Sequence, residues 1–232
     1  MKGIRFGEKH TFNDWGLMLK EFQIISPPEI QKNMVSVPGR DGQLNLTKSL
    51  DGFVHYYRRT ITFSFVSIAD REHWKGLYSD IQNYLHGEEL KIIDDDTKDS
   101  YWLGQCEVGE PSYDKKAMYI TITVDAYPYK YDIQSSDEKW LWDTFNFEKG
   151  VIREYMNLSI LGTHEILFYG SKMPVRPTFI VSSDMQIEYN GKTYNLYIGE
   201  NVIPEIVPVE GENTFIVTGT GTLTIRYRGG SL

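Results

Sequence analysis

The chain has 232 residues, of which 41% are hydrophobic and 24% are charged, and this composition excludes an intrinsically disordered protein. Its net charge of −8 at pH 7 argues against tight binding to the phosphates of DNA or RNA. No apolar run approaches the roughly 18 residues of a membrane-spanning helix, and no apolar segment typical of a signal peptide follows the first residues. A single cysteine, Cys106, fits a protein that folds in a reducing cytoplasm.

A turn rich in proline and glycine is the first distinctive feature in chain order. Pro38 fixes its φ angle, while Gly39 and Gly42 allow backbone conformations that other residues avoid. Between them, Arg40 offers a bidentate hydrogen-bond donor and Asp41 an acceptor. The turn is either an ordinary tight turn or a surface that docks on a neighbouring subunit. We take these five residues as the candidate assembly-interface turn.

Strands and one helix follow. Residues 61–66 and 119–127 alternate between apolar and polar side chains, which predicts strands with one buried face. Between them, apolar side chains at helical spacing predict a helix that starts after Asp70, as its N-cap, and ends before Gly87. The stripe that we expect to pack on a sheet consists of Trp74, Leu77, Tyr78, Ile81, Tyr84 and Leu85.

The second part of the chain reads as almost purely β. A polar segment near residues 128–140 predicts a boundary, with an α+β domain over residues 1–132 and a β domain over residues 133–232. In the latter, Asn190-Gly191 is a strong signal for a type I′ hairpin. The glycines of the Gly219-Thr220-Gly221 segment lie between two strand patterns, and we interpret the segment as a tight turn.

No residue pattern predicts catalysis or metal binding. The acidic run at residues 94–99 has some ligand character but lacks the glycine and the final glutamate of an EF-hand loop, which favours a solvated hairpin tip. No nucleophile motif occurs, and Cys106 lies in a strand-like stretch without a local partner. No ligand spacing occurs among the histidines, which are His10, His55, His73, His86 and His164. The sequence therefore predicts no catalytic residue, no metal and no cofactor.

Several short segments occur in an order and spacing that resemble a known family. In chain order they are residues 12–17, 27–28, 37–42, 57–63, the helix with Trp74, 90–96 and 126–129. They resemble the distal tail (Dit) proteins of long, flexible-tailed bacteriophages and related prophages, especially those of Gram-positive hosts. Residues 175–179, 190–191, 210–213 and 225–230 resemble the second, galectin-like domain of that family.

The resemblance implies a mainly β fold with one main helix, in which an α+β ring-forming domain precedes a galectin-like β-sandwich. It implies a homo-hexamer, as one ring or two stacked rings, at the virion's tail tip after synthesis in the bacterial host cytoplasm. The ring would join the tail tube protein to the tail-associated lysin or fibre hub. The second domains would carry receptor-binding proteins, while DNA would pass through the lumen without specific binding. Neither enzymatic activity nor membrane contact is expected.

Two other classes of function stay open. A non-catalytic carbohydrate-binding β-sandwich would use Trp140, Trp142 and the tyrosines of the second domain for stacking on sugars. The galectin-like domains of Dit proteins usually lack the sugar-binding residues of true galectins, and the one Trp-Gly dipeptide here, Trp15-Gly16, lies in the first domain. A cell-wall hydrolase is the third class, although no pair of acids stands out as its catalytic pair.

Overall fold

The structure, a computed structural model, describes residues 2–139 and 153–232. It divides into two compact units, the first running to Lys130 and including Leu232, and the second spanning Tyr131–Ser231. Among the described residues, strands account for 48% and helices for 9%, so the expected mainly β class with one main helix is confirmed.

The first unit is built on an antiparallel sheet. Its helical segments are α1 (Thr11–Trp15), a 3-10 helix (Arg71–His73) and α2 (Trp74–Leu85). Its strands are β1 (Ile4–Phe6), β2 (Lys9–His10), β3 (Leu17–Leu19), β4 (Ile24–Ile25), β5 (Met34–Ser36), β6 (Gln43–Asn45), β7 (Arg59–Ser67), β8 (Glu89–Asp94), β9 (Ser100–Val108), β10 (Ser112–Tyr113) and β11 (Met118–Ala126). The sheet has the order β2-β1-β8-β9-β11-β7-β3, β4 also pairs with β7, and β5 and β6 form a separate hairpin.

Helix α2 covers the core of this sheet. Strands β7 and β11 pair along their whole length and bury every second side chain, as their alternation predicts. Trp74, Ile81 and Leu85 of α2 are buried against them. The rest of the predicted stripe is partly buried against the same core, namely Leu77, Tyr78 and Tyr84. The helix prediction is confirmed, except that Asp70 precedes the 3-10 turn and its side chain makes no capping hydrogen bond.

The acidic hairpin tip between β8 and β9 helps to hold the start of the chain. His10 is the N-cap of α1, where its Nδ1 accepts the backbone N–H groups of Phe12 (3.2 Å) and Asn13 (3.1 Å). The ring proton therefore lies on Nε2, which donates to the Asp95 carboxylate at 3.0 Å. Asp95 also accepts the backbone N–H of Gly3 at 3.0 Å. The prediction of a hairpin tip is confirmed. Its Asp95, however, is bonded to the start of the chain rather than solvated.

The second unit is one sheet that curls around its own core. Its six strands are β13 (Leu158–Gly170), β14 (Thr178–Val181), β15 (Met185–Tyr189), β16 (Lys192–Leu196), β17 (Gly199–Val202) and β18 (Gly211–Arg226). The order is β16-β15-β18-β14-β17, and β13 pairs with β18 along all of β13. The short strands β12 (Lys130–Asp132) and β19 (Gly230–Ser231) pair with each other and are not part of this sheet. The Phe168 ring lies at the centre of the core, with centroids 5.0 Å from Tyr155, 5.2 Å from Phe215 and 5.0 Å from Tyr227.

The hairpin predicted at Asn190-Gly191 is confirmed, whereas the prediction of a tight turn at residues 219–221 is wrong. Asn190 (φ 50°) and Gly191 (φ 73°) join β15 to β16 as a type I′ turn. The segment of Gly219 and Gly221, in contrast, lies inside the continuous strand β18, between the stretch paired with β15 and the stretch paired with β14. Its glycines are required by close approach, because a Cβ at Gly219 would lie 2.6 Å from Met185 Cγ.

Two asparagines with the same hydrogen-bond pattern hold loops of the second unit. Asn213 Oδ1 accepts the N–H of Val209 (3.0 Å), while its Nδ2 donates to the carbonyls of Val209 (2.8 Å) and Gly211 (2.9 Å). In the same way, Asn201 Oδ1 accepts the N–H of Tyr197 (2.9 Å), and its Nδ2 donates to the carbonyls of Tyr197 (2.7 Å) and Gly199 (3.1 Å). They differ in that Asn213 is only 6% exposed and also accepts from the Tyr189 hydroxyl at 3.0 Å.

Candidate assembly surface

The predicted interface turn is the tip of the β5–β6 hairpin. Gly39 (φ 78°) and Gly42 (φ 76°) both adopt the left-handed backbone conformation that favours glycine. The backbone N–H of Arg40 closes the turn onto the Val37 carbonyl at 3.2 Å. The side chains of Arg40 and Asp41 are exposed and bond to no described residue, so both are available to another surface.

The hairpin belongs to a longer segment, residues 22–57, which we call the arm. None of these residues, all of which the structure describes, is buried. Phe22 is 89% exposed and Leu50 is 93% exposed. The other large apolar side chains exposed along the arm are Ile24, Ile25, Ile30, Met34, Val35, Val37 and Tyr57. An exposed set of this size is typical of an interaction surface.

Backbone hydrogen bonds give the arm its shape. Near its base, β4 pairs with β7, and further out a bridge joins Ile30 to Tyr56. The N–H of Gln31 donates to the His55 carbonyl at 2.9 Å, and the N–H of Tyr57 donates to the Glu29 carbonyl at 2.8 Å. The two halves of the arm thus run side by side as a ribbon, with no hydrophobic core of their own.

Aromatic and ionic contacts fix the base of the arm to the sheet. The Arg58 guanidinium lies 4.1 Å from the Tyr127 ring centroid and also pairs with Glu89 and Asp125, both at 3.3 Å. Tyr56 packs edge-on against Tyr129, with ring centroids 5.9 Å apart. Burial, with a smaller contribution from Tyr56, raises the pKa of Tyr129 to about 12. The base is therefore anchored while the apolar side chains further out face solvent.

Among the described residues we find neither a cluster of metal ligands nor a reactive cysteine. Within residues 2–139 and 153–232, no group of three or more histidine, cysteine, aspartate or glutamate side chains converges on a possible metal site. Cys106 is buried in β9, and burial raises the pKa of its thiol to about 12, which keeps it protonated and unreactive. Among the same residues, no helix is long and apolar enough to cross a membrane.

Three of the seven tyrosines of the second unit belong to its buried core rather than to a sugar-stacking surface. Tyr155, Tyr189 and Tyr227 are buried, whereas Tyr197 is exposed. The tryptophans on which the carbohydrate hypothesis depends, Trp140 and Trp142, lie outside the described residues. The arm itself was missed by the sequence analysis, because an apolar residue that faces solvent has the same local signature as one that faces a core.

Comparison with solved structures shows a likeness that spans the whole chain. The structure is similar to the crystal structure of the SPP1 Dit (gp 19.1) protein, described as a paradigm of the hub adsorption apparatus in phages that infect Gram-positive bacteria. The TM-score is 0.60 at 12% sequence identity, and the similarity covers 100% of each chain. No protein-family model and no curated protein matches the chain. At this identity the likeness establishes a shared fold.

Proposed function

We propose that this chain is a structural subunit of a bacteriophage tail tip, in which six copies close into a ring. The ring joins the tail tube protein to the tail-associated lysin or fibre hub and to receptor-binding proteins. In this proposal the first domain, residues 1–132, forms the ring, and the second, residues 133–232, faces outward. The subunit acts by binding proteins and catalyses no reaction.

The arm is the observation that carries this proposal. An extended ribbon with apolar side chains and no core is unfavourable in water, because each exposed apolar Å² forgoes about 25 cal/mol of burial. A neighbouring copy supplies the missing surface if the arm lies across it. Such a contact joins two different patches, and repeated around an axis it closes a ring. The full-length fold likeness to SPP1 Dit, a hub protein, supports the same assignment.

Charge is consistent with a channel for DNA in this ring. The chain carries a net charge of −8, which disfavours strong attachment of phosphates to its surface. A lumen that DNA crosses without specific binding requires this property. The same charge would oppose a role in holding DNA.

The mass of the purified chain in solution tests the proposal. We expect six-fold assemblies by light scattering and mass photometry, with a sixfold axis in electron micrographs. A chain that stays strictly monomeric at high concentration, and binds neither tail-tube nor hub proteins, would contradict it.

Matched substitutions test the role of the arm. Val35→Asp places a charge among the apolar side chains of the β5–β6 hairpin, and loss of one apolar contact, about 1.5 kcal/mol, weakens each interface about tenfold. Arg40→Ala and Asp41→Ala should also weaken assembly without changing the thermal unfolding of the monomer. The control is Val202→Asp at an exposed valine of the second unit (57% exposed, against 40% for Val35), which should leave the mass unchanged. Equal effects at Val35 and Val202 would show that the arm has no special role.

A further inference from the structure

Strand β13 presents a long unprotected edge. It runs over Leu158–Gly170 and pairs with β18 on one side. On its other side no strand pairs with it within the part of the chain that the structure describes. Proteins usually protect such an edge with lysine or proline, yet the only charged residue of β13 is Glu165.

Three hydrogen bonds show which backbone groups face outward. The Tyr169 N–H donates to Tyr155 Oη (3.1 Å), and its carbonyl accepts from Arg153 Nε (2.8 Å). The Leu161 carbonyl lies 3.1 Å from His164 Nε2. Since alternate residues of a strand direct both backbone groups to the same edge, odd-numbered residues of β13 point away from β18.

The central outward groups of β13 therefore have no partner among the described residues. Backbone N–H and C=O groups of Thr163, Glu165 and Leu167 point away from β18, and among the described residues nothing bonds to them. The side chains on this stretch are also uncovered, with Leu161 75% exposed and Leu167 46% exposed. Both leucines lie on the same face of the sheet as the partly exposed Ile216, which stands opposite Glu165.

We propose that this edge pairs antiparallel with the same edge of a second copy, about a twofold axis at His164. In this register Thr163 stands opposite Glu165, and the two exchange backbone hydrogen bonds, since both point outward. Leu161 stands opposite Leu167, which joins the exposed apolar side chains of both copies. The contact between the His164 ring and the Leu161 carbonyl breaks, and this carbonyl then accepts a hydrogen bond from the Leu167 N–H of the second copy.

Neighbouring registers are less favourable. An axis at Glu165 places two glutamates directly opposite each other, which is destabilising. An axis at Thr163 places Glu165 opposite Leu161 and leaves Leu167 opposite Ser159. Only the axis at His164 matches apolar with apolar and keeps the single charge opposite an uncharged polar residue.

Cysteine cross-linking of the full chain tests this geometry. In the proposed dimer the two His164 residues form a non-hydrogen-bonded pair, with Cβ atoms about 4.5–5.5 Å apart, close to the separation in a disulfide. His164→Cys should therefore form a disulfide-linked dimer under mild oxidation. The control Thr163→Cys, one residue away and not facing itself, should cross-link at least tenfold more slowly. The native Cys106 is buried and does not compete.

A second variant removes the pairing itself. Thr163→Pro eliminates one outward N–H and leaves the backbone bonds to β18, although it also removes the exposed side-chain bond between Thr163 and Thr218 (3.0 Å). It should therefore abolish cross-linking of His164→Cys while the unfolding transition is retained. Equal rates for the two cysteine variants would overturn the proposal, as would a monomeric His164→Cys variant whose introduced thiol is protected from alkylation. Cross-linking only to a different protein would also overturn it.

Repeating the assay in the Val35→Asp background separates this interface from the ring, because cross-linking through His164→Cys should persist when the arm contact is weakened.

Discussion

Replacing Asn213 by alanine should destabilise the second unit far more than the same replacement at Asn201. Both side chains hold a loop through the same bonds, but only Asn213 is buried. Asn213→Ala leaves the Val209 N–H without its side-chain acceptor, and it leaves the Tyr189 hydroxyl with only its longer bond to the Val207 carbonyl (3.4 Å). Each buried group that is left poorly satisfied costs about 1–3 kcal/mol. The expected loss is about 3 kcal/mol. At Asn201 water can replace the lost bonds, and about 1 kcal/mol is expected.

Urea unfolding of the full chain, followed by circular dichroism, measures both free energies of unfolding. Hydrogen exchange adds a local readout, since the amide of Val209 should lose protection in Asn213→Ala while the amide of Tyr197 does not. The reasoning attributes the difference to burial and to the bond from Tyr189. Equal losses in the two variants would refute it, because identical hydrogen bonds would then have equal value regardless of solvent access.

Two further predictions concern the first unit. Burial alone would raise the pKa of Asp95, but hydrogen bonds from His10 and Gly3 outweigh it and lower this pKa. Asp95→Asn should therefore cost about 1 kcal/mol at pH 7. In pH-dependent urea titrations this difference should disappear as the pH falls below about 4, through the lowered pKa of the native state, and a difference that grows there would contradict it. Gly104→Ala should destabilise the unit by more than about 2 kcal/mol, because its Cβ would lie 2.6 Å from the backbone of Ala126. Gly76→Ala, with open space in helix α2, should stabilise by about 0.5–1 kcal/mol in the same urea unfolding assay, and equal signs for the two would refute the steric account.

Features set by neighbouring residues could be predicted from the sequence. The stripe of α2 and the Asn190-Gly191 turn depend on spacing within a few residues, and both are confirmed. The segment 219–221 has the same composition as a turn, but its glycines are there because Met185 of β15 and Ser182 of the β14–β15 loop approach β18. That reason is not local, so composition alone pointed to the wrong element.

The arm could not be predicted for a related reason. Apolar residues in a strand such as Met34–Ser36 are compatible with a buried face, but they do not show whether a second layer covers that face. Likewise, the Gly-Glu-Asn triplets at residues 199–201 and 211–213 are identical in sequence, and only the fold buries one of them. Whether a side chain is exposed depends on how the whole chain packs, so the arm could be identified as a candidate surface only from the structure.

The two proposed surfaces have different symmetry, and this allows them to be separated. The arm places one patch on a different patch of the next copy, a heterologous contact that generates a ring. The edge of β13 meets itself, an isologous contact that ends after two copies. If the twofold axis of this contact crosses the ring axis at right angles, a chain with both contacts has dihedral symmetry and twice the copies of one ring. Thr163→Pro should then halve the largest assembly. Val35→Asp should instead leave dimers, and the double variant should be a monomer.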